Sequence, residues 1–385
     1  MKIIYCANAR IPTQKAHGFQ ISKMCEQLGL AGAKVELWHT SRKNPITDDV
    51  FAYYNLQKSF SVREISLFDF VSLASLLGPL AMWLQRLAFY IRLKKIFKNE
   101  KAAIFSRDPE VIYAAKRAGL FTLYENHDGL SKHPRMQLSL IADTDRIITT
   151  NEHIRRQFVD HGIDETVITV LPHGVDFTAF DVESTKEQAI KDLDLSVETT
   201  EALLAQDVLV YTGNFTTMNQ DKGITDIMQS MKSLPENFYF AAIGGNDRDI
   251  KTYTELSKSL GIENRVLFVG RQSQTQLGLW QKVASILLMP FPDTGHYREH
   301  MAPLKMFEYL VSKRPIIASD LPSIKAVLSD KVAYFCQPSN PNDLSRVIKK
   351  VHNADTSTIT AAAYTKAGEY RWDKRANKII SLVKI

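Results

Sequence analysis

One alternation of elements, met twice along the chain, constrains its fold more than any other feature. Residues 2–40 read as a strand (KIIYCANA), a loop (RIPTQKAHGF), a helix (QISKMCEQLGLAG) and a second strand (KVELWHT). In the helix Ile21, Met24, Cys25 and Leu28 recur at i, i+3, i+4 and i+7, and Gly32 is placed to end it. Parallel strands need a long crossover, and strand–helix–strand units supply it. From residue 207 the same grammar returns: DVLVYTGNF as strand, TTMNQDKG as loop, ITDIMQSMKSL as helix and FYFAAIGG as strand, with Ile224, Ile227, Met228 and Met231 on one helix face. The segments AIFSRD, LFTLYENH, RIITTN and TVITVLPHG add strands to the first half, and RVLFVG, SILLMPF, RPIIAS and VAYFCQ to the second. The expected fold is α/β, with two Rossmann-like doubly wound domains. An acidic, turn-poor stretch, DVESTKEQAIKDLDLSVETTEALLAQ, marks the seam. The expected boundaries are an N-terminal domain over 1–182, a linker over 183–206, a C-terminal domain over 207–365, and a C-terminal helix over 366–385 packing back on the first domain.

The bulk numbers agree with two domains, since 385 residues exceed what one core organises. At 45% hydrophobic and 23% charged the composition is that of a soluble globular protein. Cys6, Cys25 and Cys336 form no CxxC pair, which argues against a disulfide framework or zinc knuckle and for a reducing, cytoplasmic setting. The first residues turn polar before any long apolar run, so no secretory signal is expected. A net charge of +6 favours anionic partners. Nucleic acid is disfavoured among them, because no arginine-rich run, RNP-like aromatic strand or zinc-finger spacing is present.

In open α/β sheets ligands gather outside the carboxyl ends of the strands. Arg107, His127, Asn151 and His173 stand at such ends in the first half; Asn214, Asn246 and the 292–300 loop do so in the second. The stretch REHMAPLKMFEYLVSKRPIIASD, 298–320, adds a helix start. Pro303 suits the first helical position, and the free N–H groups of that turn suit an anion. Leu304, Phe307 and Leu310 can face the sheet while Lys305 and Glu308 share another side, a lysine for phosphate and a carboxylate for a ribose diol; a surface ion pair is the plain alternative. The loop NFTTMNQDKG brings Lys222 and Gly223 to a second helix entrance, where the lysine could meet a diphosphate or simply be solvated. Three DxD triplets, at 143, 192 and 247, raise the question of a metal. The first precedes a strand and the second lies in the linker; only the third is placed to meet a phosphate, and no metal is expected, because lysines and helix N-termini can neutralise a diphosphate. Residues 70–98 run from an uncharged apolar stretch into Arg86, Arg92, Lys94, Lys95 and Lys98. That pattern fits either a helix lying on an anionic membrane surface or a buried hairpin with a basic edge.

An ordered set of motifs spans nearly the whole chain: Gly18 after the first strand, His127 with Asp128, PHGVDFTAF at 172–180, YTGNF with DKG at 211–223, FVGR at 268–271, PLKMFEYL with RPIIASDLPS at 303–323, and YRWDKRA at 370–376. In this the sequence resembles the family-4 retaining glycosyltransferases of GT-B fold (glycosyl transferases group 1). The resemblance implies two facing domains with an interdomain cleft, a nucleoside diphosphate sugar as donor, and a glycan or lipid-linked acceptor read by the first domain, in cell-surface polysaccharide or glycolipid synthesis. It implies that Lys222 holds the donor diphosphate, that Glu308 binds the ribose hydroxyls, and that the main chain at Ala302, Pro303, Leu304 and Lys305 cradles phosphate and sugar. Gly18 would let the first-domain loop approach the phosphate, His127 would lie by the transferred sugar, and Gly270 and Arg271 would border the base. Two positions depart from the family pattern. Its first glutamate, seven residues before Glu308, falls on His300 with Glu299 out of register, and its arginine after the YTG-like glycine is Asn214; Lys305 is expected to supply the missing charge. His127 with Asp128 also fits a structural pair, and Arg107 a partner of Asp108 or of a neighbour. The rival functions are a nucleotide-sugar epimerase of the same fold and a silent sugar-nucleotide-binding subunit.

Overall fold

The structure, a computed structural model, describes residues 1–131, 133–217 and 220–383; Met218 and Asn219 of the expected 216–223 loop, and the last two residues of the expected C-terminal helix, lie outside them. The chain forms two units. The first holds Met1–Pro172 and the stretch from Trp372, and the second holds His173–Arg371.

In the first unit β1 (Lys2–Ala7), β2 (Lys34–Thr40), β3 (Ser61–Ile65), β4 (Ala103–Ser106), β5 (Thr122–Asn126), β6 (Arg146–Thr149) and β7 (Ile168–Val170) form one parallel sheet in the order β3-β2-β1-β4-β5-β6-β7. Helices cover both faces, so strands such as β1 and β4 are buried at nearly every residue and read as continuous apolar runs. β3 was not legible in the sequence because most of its residues are exposed at the sheet edge.

The second unit repeats the plan. β8 (Asp207–Thr212) leads into a short antiparallel hairpin, β9 (Thr216–Thr217) and β10 (Gln220–Asp221). Then come β11 (Phe238–Ile243), β12 (Val266–Val269), β13 (Ile286–Met289), β14 (Ile316–Ser319) and β15 (Tyr334–Cys336). The parallel order is β12-β11-β8-β13-β14-β15. The winding reverses between β8 and β13, so the segments leaving those two strands flank a crevice of the kind where doubly wound sheets hold ligands.

The expected linker is not one. Residues 183–206 carry the helices Lys186–Asp192 and Val197–Ala205, capped by the Thr185 and Ser196 hydroxyls. Ala189, Ile190, Leu193 and Leu203 are buried in the second unit's core beside Trp280 and Val283. The helix Gln274–Val283 packs on this segment and on the helix Phe177–Phe180. Gly278 permits the approach, since a Cβ there would stand 2.2 Å from the Ala179 carbonyl oxygen. The composition of the stretch is polar because its outer face is wet, while Ala189, Ile190, Leu193 and Leu203 go into the core.

The C-terminal segment divides at Trp372 and not at 366. Ser357–Ala367 is a helix of the second unit, whereas Trp372–Leu382 lies on the helix Ala16–Leu30 of the first and buries Trp372, Arg375, Ala376 and Ile379 at i, i+3, i+4 and i+7. Ile190→Ala is expected to lower stability by about 2–4 kcal/mol in urea unfolding, the cost of emptying a core site; a true linker position would change it by less than about 0.5 kcal/mol.

Candidate functional site

The second unit's site is built from the ends of β8 and β13. Past β8 the chain turns at Gly213, in the left-handed region at φ 105°, and Gly213 leaves room for the Lys305 side chain: a Cβ would stand 3.3 Å from Lys305 Cε. Asn214 is exposed, and its carbonyl accepts the Tyr211 hydroxyl at 2.9 Å. The hairpin then delivers Lys222 and Gly223 to the helix Ile224–Met231. Gly223 (φ 93°) lies so close to β13's exit that a Cβ would meet the Pro290 carbonyl oxygen at 1.9 Å. Asp221 fixes this entrance, accepting from the Gly223 N–H, the Thr225 hydroxyl at 3.0 Å and the Tyr253 hydroxyl.

Past β13, residues 290–303 are tied down by hydroxyls: Ser319 donates to the Phe291 carbonyl at 2.6 Å and Ser323 to the Tyr297 carbonyl. Glu299 and His300 close a π-helical turn over His296–His300, their facing atoms 3.9 Å apart. Ala302 and Pro303 lead to the helix Leu304–Val311. Pro303 sits one residue before the position expected of it: it is extended (φ −71°, ψ 136°) and forms the N-cap, which its ring cannot fill with a hydrogen bond. The N–H groups of Leu304 and Lys305 therefore open the helix without an intrahelical acceptor. Tyr309 locks the helix to the sheet, its hydroxyl accepting the Thr212 N–H at 2.8 Å.

Lys305 on this first turn and Glu308 at the start of the next are both buried, so the surface ion pair does not form. The Lys305 ammonium lies 3.1 Å over the Tyr211 ring centroid and 5.6 Å from that of Phe291, and no hydrogen-bond acceptor reaches it among the described residues. Burial and then the like charge of Lys222 hold it well below the usual ammonium range, with Glu308 opposing. Burial pushes the half-buried Lys222 amine down to about 8. Burial raises Glu308 to about 7, Lys305 opposing. Two amines and one carboxyl are thus gathered where each lacks the counter-charges or donors that would offset its desolvation. Such a site fits an anion at the lysines and hydroxyls at Glu308. Gly270 and Arg271 follow β12, Gly270 with open space beside its Cα and Arg271 exposed.

The DRD triplet is used structurally. Asn246 caps the helix Asp247–Leu260, and buried Asp249 accepts the Asn246 amide at 2.9 Å and the Thr216 hydroxyl at 3.2 Å, anchoring the hairpin that carries Lys222. Asp145 is engaged by Lys116 at 3.1 Å and Asp192 by Gln188 at 2.7 Å.

In the first unit Arg107 and His127 meet on a residue the sequence reading passed over. Glu125, at the buried end of β5, accepts Arg107 Nε at 3.2 Å, pairs with His127 Nε2 at 3.0 Å, and takes a further hydrogen bond from Arg375. Burial alone would raise the Glu125 carboxyl; Arg107, Arg375 and His127 outweigh it and hold it well below the usual range. Burial and then Arg107 lower His127, Glu125 opposing. The histidine thus pairs with Glu125, Asp128 beside it being exposed, and Arg107 reaches Glu125 and Gln20 (3.1 Å) while Asp108 accepts the Asn8 N–H at 2.7 Å. Gly18 is not in a loop. It lies in the first turn of Ala16–Leu30, and glycine is required because a Cβ would stand 2.2 Å from the Tyr54 hydroxyl oxygen and 2.5 Å from Thr13 Cγ2. A lone charged residue inside the apolar strand LFTLYENH was the available signal for Glu125. Arg375 sat in a motif noted only for its order. Arg375→Met is expected to cost about 3–5 kcal/mol, the penalty of stripping a partner from a buried charge. Adding Glu125→Gln should recover part of it, and strictly additive losses in urea unfolding would show that the two do not act as a pair.

Comparison with known proteins places this geometry. Residues 21–179 match the family described as Glycosyltransferase Family 4, and residues 201–370 match Glycosyl transferases group 1. A D-inositol 3-phosphate glycosyltransferase of Nocardiopsis dassonvillei is 22% identical over a 274-residue alignment that covers 66% of this chain. The matched stretch spans 60% of that relative's length. Among solved structures, Anabaena HepE in complex with UDP-glucose aligns over 100% of both chains at TM-score 0.74 and 15% identity. Sucrose-phosphate synthase of Thermosynechococcus elongatus aligns over 99% of this chain and 98% of its own at TM-score 0.74 and 16% identity. The two family matches fall on successive stretches of a fold shared from end to end with these proteins, and the chain belongs to the family-4 glycosyltransferases of GT-B fold.

Proposed function

We propose that this chain is a retaining, metal-independent glycosyltransferase that moves a hexosyl group from a nucleoside diphosphate donor to a glycan or lipid-linked acceptor on the cytoplasmic side of the cell. The observation that carries the reading is the uncompensated trio Lys222, Lys305 and Glu308, gathered from the entrance of one helix and the first turns of another. A diphosphate would supply the anion that both amines lack, and ribose hydroxyls would donate to Glu308. The complexes of HepE with UDP and UDP-glucose support a uridine nucleotide as the first donor to try.

In the transfer, the bond between the sugar's anomeric carbon and the diphosphate oxygen breaks, and the electron pair leaves with the diphosphate. Lys222, Lys305 and the N–H groups of Leu304 and Lys305 neutralise that charge as it develops, in a site preorganised at no cost during the reaction. The acceptor hydroxyl bonds to the carbon from the same side, and its proton passes to the departing oxygen. His300, standing where the resemblance expects a glutamate, favours one second reading, a subunit that binds the donor without turning it over.

Lys222→Ala should lower transfer about a hundredfold or more, roughly 3 kcal/mol of lost stabilisation, and Glu308→Gln should weaken UDP affinity about tenfold. Turnover of UDP-, GDP- and ADP-sugars, with and without acceptor and in excess EDTA, checks the assignment. Parental rates in both variants would remove the site from the reaction, loss on chelation would refute metal independence, and binding without turnover of any donor would favour the silent subunit.

A second expectation follows from the shifted pKa values. At pH 8 a bound diphosphate stabilises the ammonium form of Lys222, which stands near half protonation, and of Lys305, so binding draws protons in. Glu308, at about 7, is already mostly ionised there and releases few. Titration of UDP at pH 8 in Tris and in HEPES should therefore differ in heat by a net proton uptake, and equal heats would show that the amines do not meet the phosphates.

A further inference from the structure

We infer that the helix Pro79–Ile96 docks the first unit on an anionic lipid bilayer, lying in the interface plane with Trp83 inserted. The observation is a preformed helix with two unlike faces. Ala81, Gln85, Phe89 and Leu93, at i, i+4, i+8 and i+12, are buried against the unit. On the other side Leu80, Trp83, Leu87 and Ile91, at i, i+3, i+7 and i+11, face solvent, Trp83 at 58% exposure. Leu76, in the short helix Ala74–Leu77 before it, is 80% exposed. Residues 70–98 therefore do not form the buried hairpin weighed from the sequence. An outward apolar row of this length on a helix surface marks an interaction site.

The charge pattern selects the occupant. Between 70 and 98 there is no Asp or Glu, and Arg92, Lys94, Lys95 and Lys98 are all exposed at the C-terminal end. Lys94 lies one heptad beyond Leu87 and Lys98 one beyond Ile91, so the basic groups continue the apolar row. Apolar depth followed by flanking ammonium groups complements acyl chains beneath phosphate headgroups, and the long lysine stems can reach up to those headgroups. No helix among the described residues is long and apolar enough to cross a membrane, so the chemistry is that of a surface-lying helix. The helix is also held rigid before any lipid arrives. Tyr90 packs on Tyr113 with centroids 5.9 Å apart, Arg86 pairs with Glu110 at 3.3 Å, and Gln85 accepts the Phe70 N–H at 2.9 Å. Docking thus orders no new backbone, which removes the main entropic cost that a disordered anchor bears. The inference stands apart from the donor chemistry, since every residue in it belongs to the first unit.

The test is co-sedimentation of the full chain with vesicles of phosphatidylcholine alone or mixed with phosphatidylglycerol. The parent should bind the anionic vesicles, at least tenfold more weakly the neutral ones, and less tightly as salt rises. Trp83→Ser with Leu87→Ser, and separately Lys94→Glu with Lys95→Glu and Lys98→Glu, should each reduce anionic binding at least tenfold while far-UV circular dichroism and the melting temperature stay at parental values, because all five side chains are exposed. Absence of parental binding to anionic vesicles, or parental binding retained by the lysine variant, would overturn the proposal. So would self-association in sedimentation velocity that the Trp83/Leu87 variant abolishes without any vesicle binding, which would assign the face to a second copy of this chain.

Discussion

The arrangement of the second unit depends on keeping an ammonium group out of water with aromatic faces against it and no hydrogen-bond acceptor on it among the described residues. Lys305 is buried over Tyr211 and beside Phe291, on the first turn of a helix whose N-cap is a proline. An isolated buried charge of this kind costs several kcal/mol or is driven towards its neutral form. The surroundings are shaped to tolerate it: Gly213 gives the side chain room, Tyr309 fixes the helix to β8, and the hairpin anchored by Asp249 brings up Lys222. None of these contacts offsets the charge. They hold a deficit in place, which is what a site for an anionic ligand requires and what a structure optimised for stability alone would have removed.

Much of this was legible in the sequence because periodicity and strand-end position are local properties. The alternation of apolar strands with amphipathic helices located nearly every strand of both sheets, and Lys222, Lys305 and Glu308 stood out by lying at helix entrances. Residues whose meaning depends on a distant partner were not legible. Glu125 acquires its role from Arg107 on the neighbouring strand end and from Arg375, two hundred and fifty positions away. Gly18 looked like a loop glycine, and only the packing of Tyr54 and Thr13 shows why no side chain fits there. Residues 183–206 looked like a linker because composition averages over a helix's two faces, while burial of Ile190 and Leu203 concerns one of them. Pro303 missed by a single position, the usual scale of error at a helix end.

The two units use buried charge in opposite ways. In the first, Glu125 is surrounded by Arg107, Arg375 and His127, so its charge is fully answered and binds the C-terminal helix to the sheet. In the second, the charges are left unanswered. A satisfied network rigidifies a scaffold, and an unsatisfied one invites a ligand.

The return of the helix from Trp372 to the first unit makes the second unit, in connectivity, an insertion within the first. During synthesis His173–Arg371 emerges as one uninterrupted stretch and can complete its own core as soon as it leaves the ribosome. The first unit, although made earlier, must hold Glu125 without Arg375 and leave one side of the helix Ala16–Leu30 uncovered until the final turns appear. The order of completion is thus the reverse of the order of translation, and the half made first is the one exposed longest to chaperones and proteases.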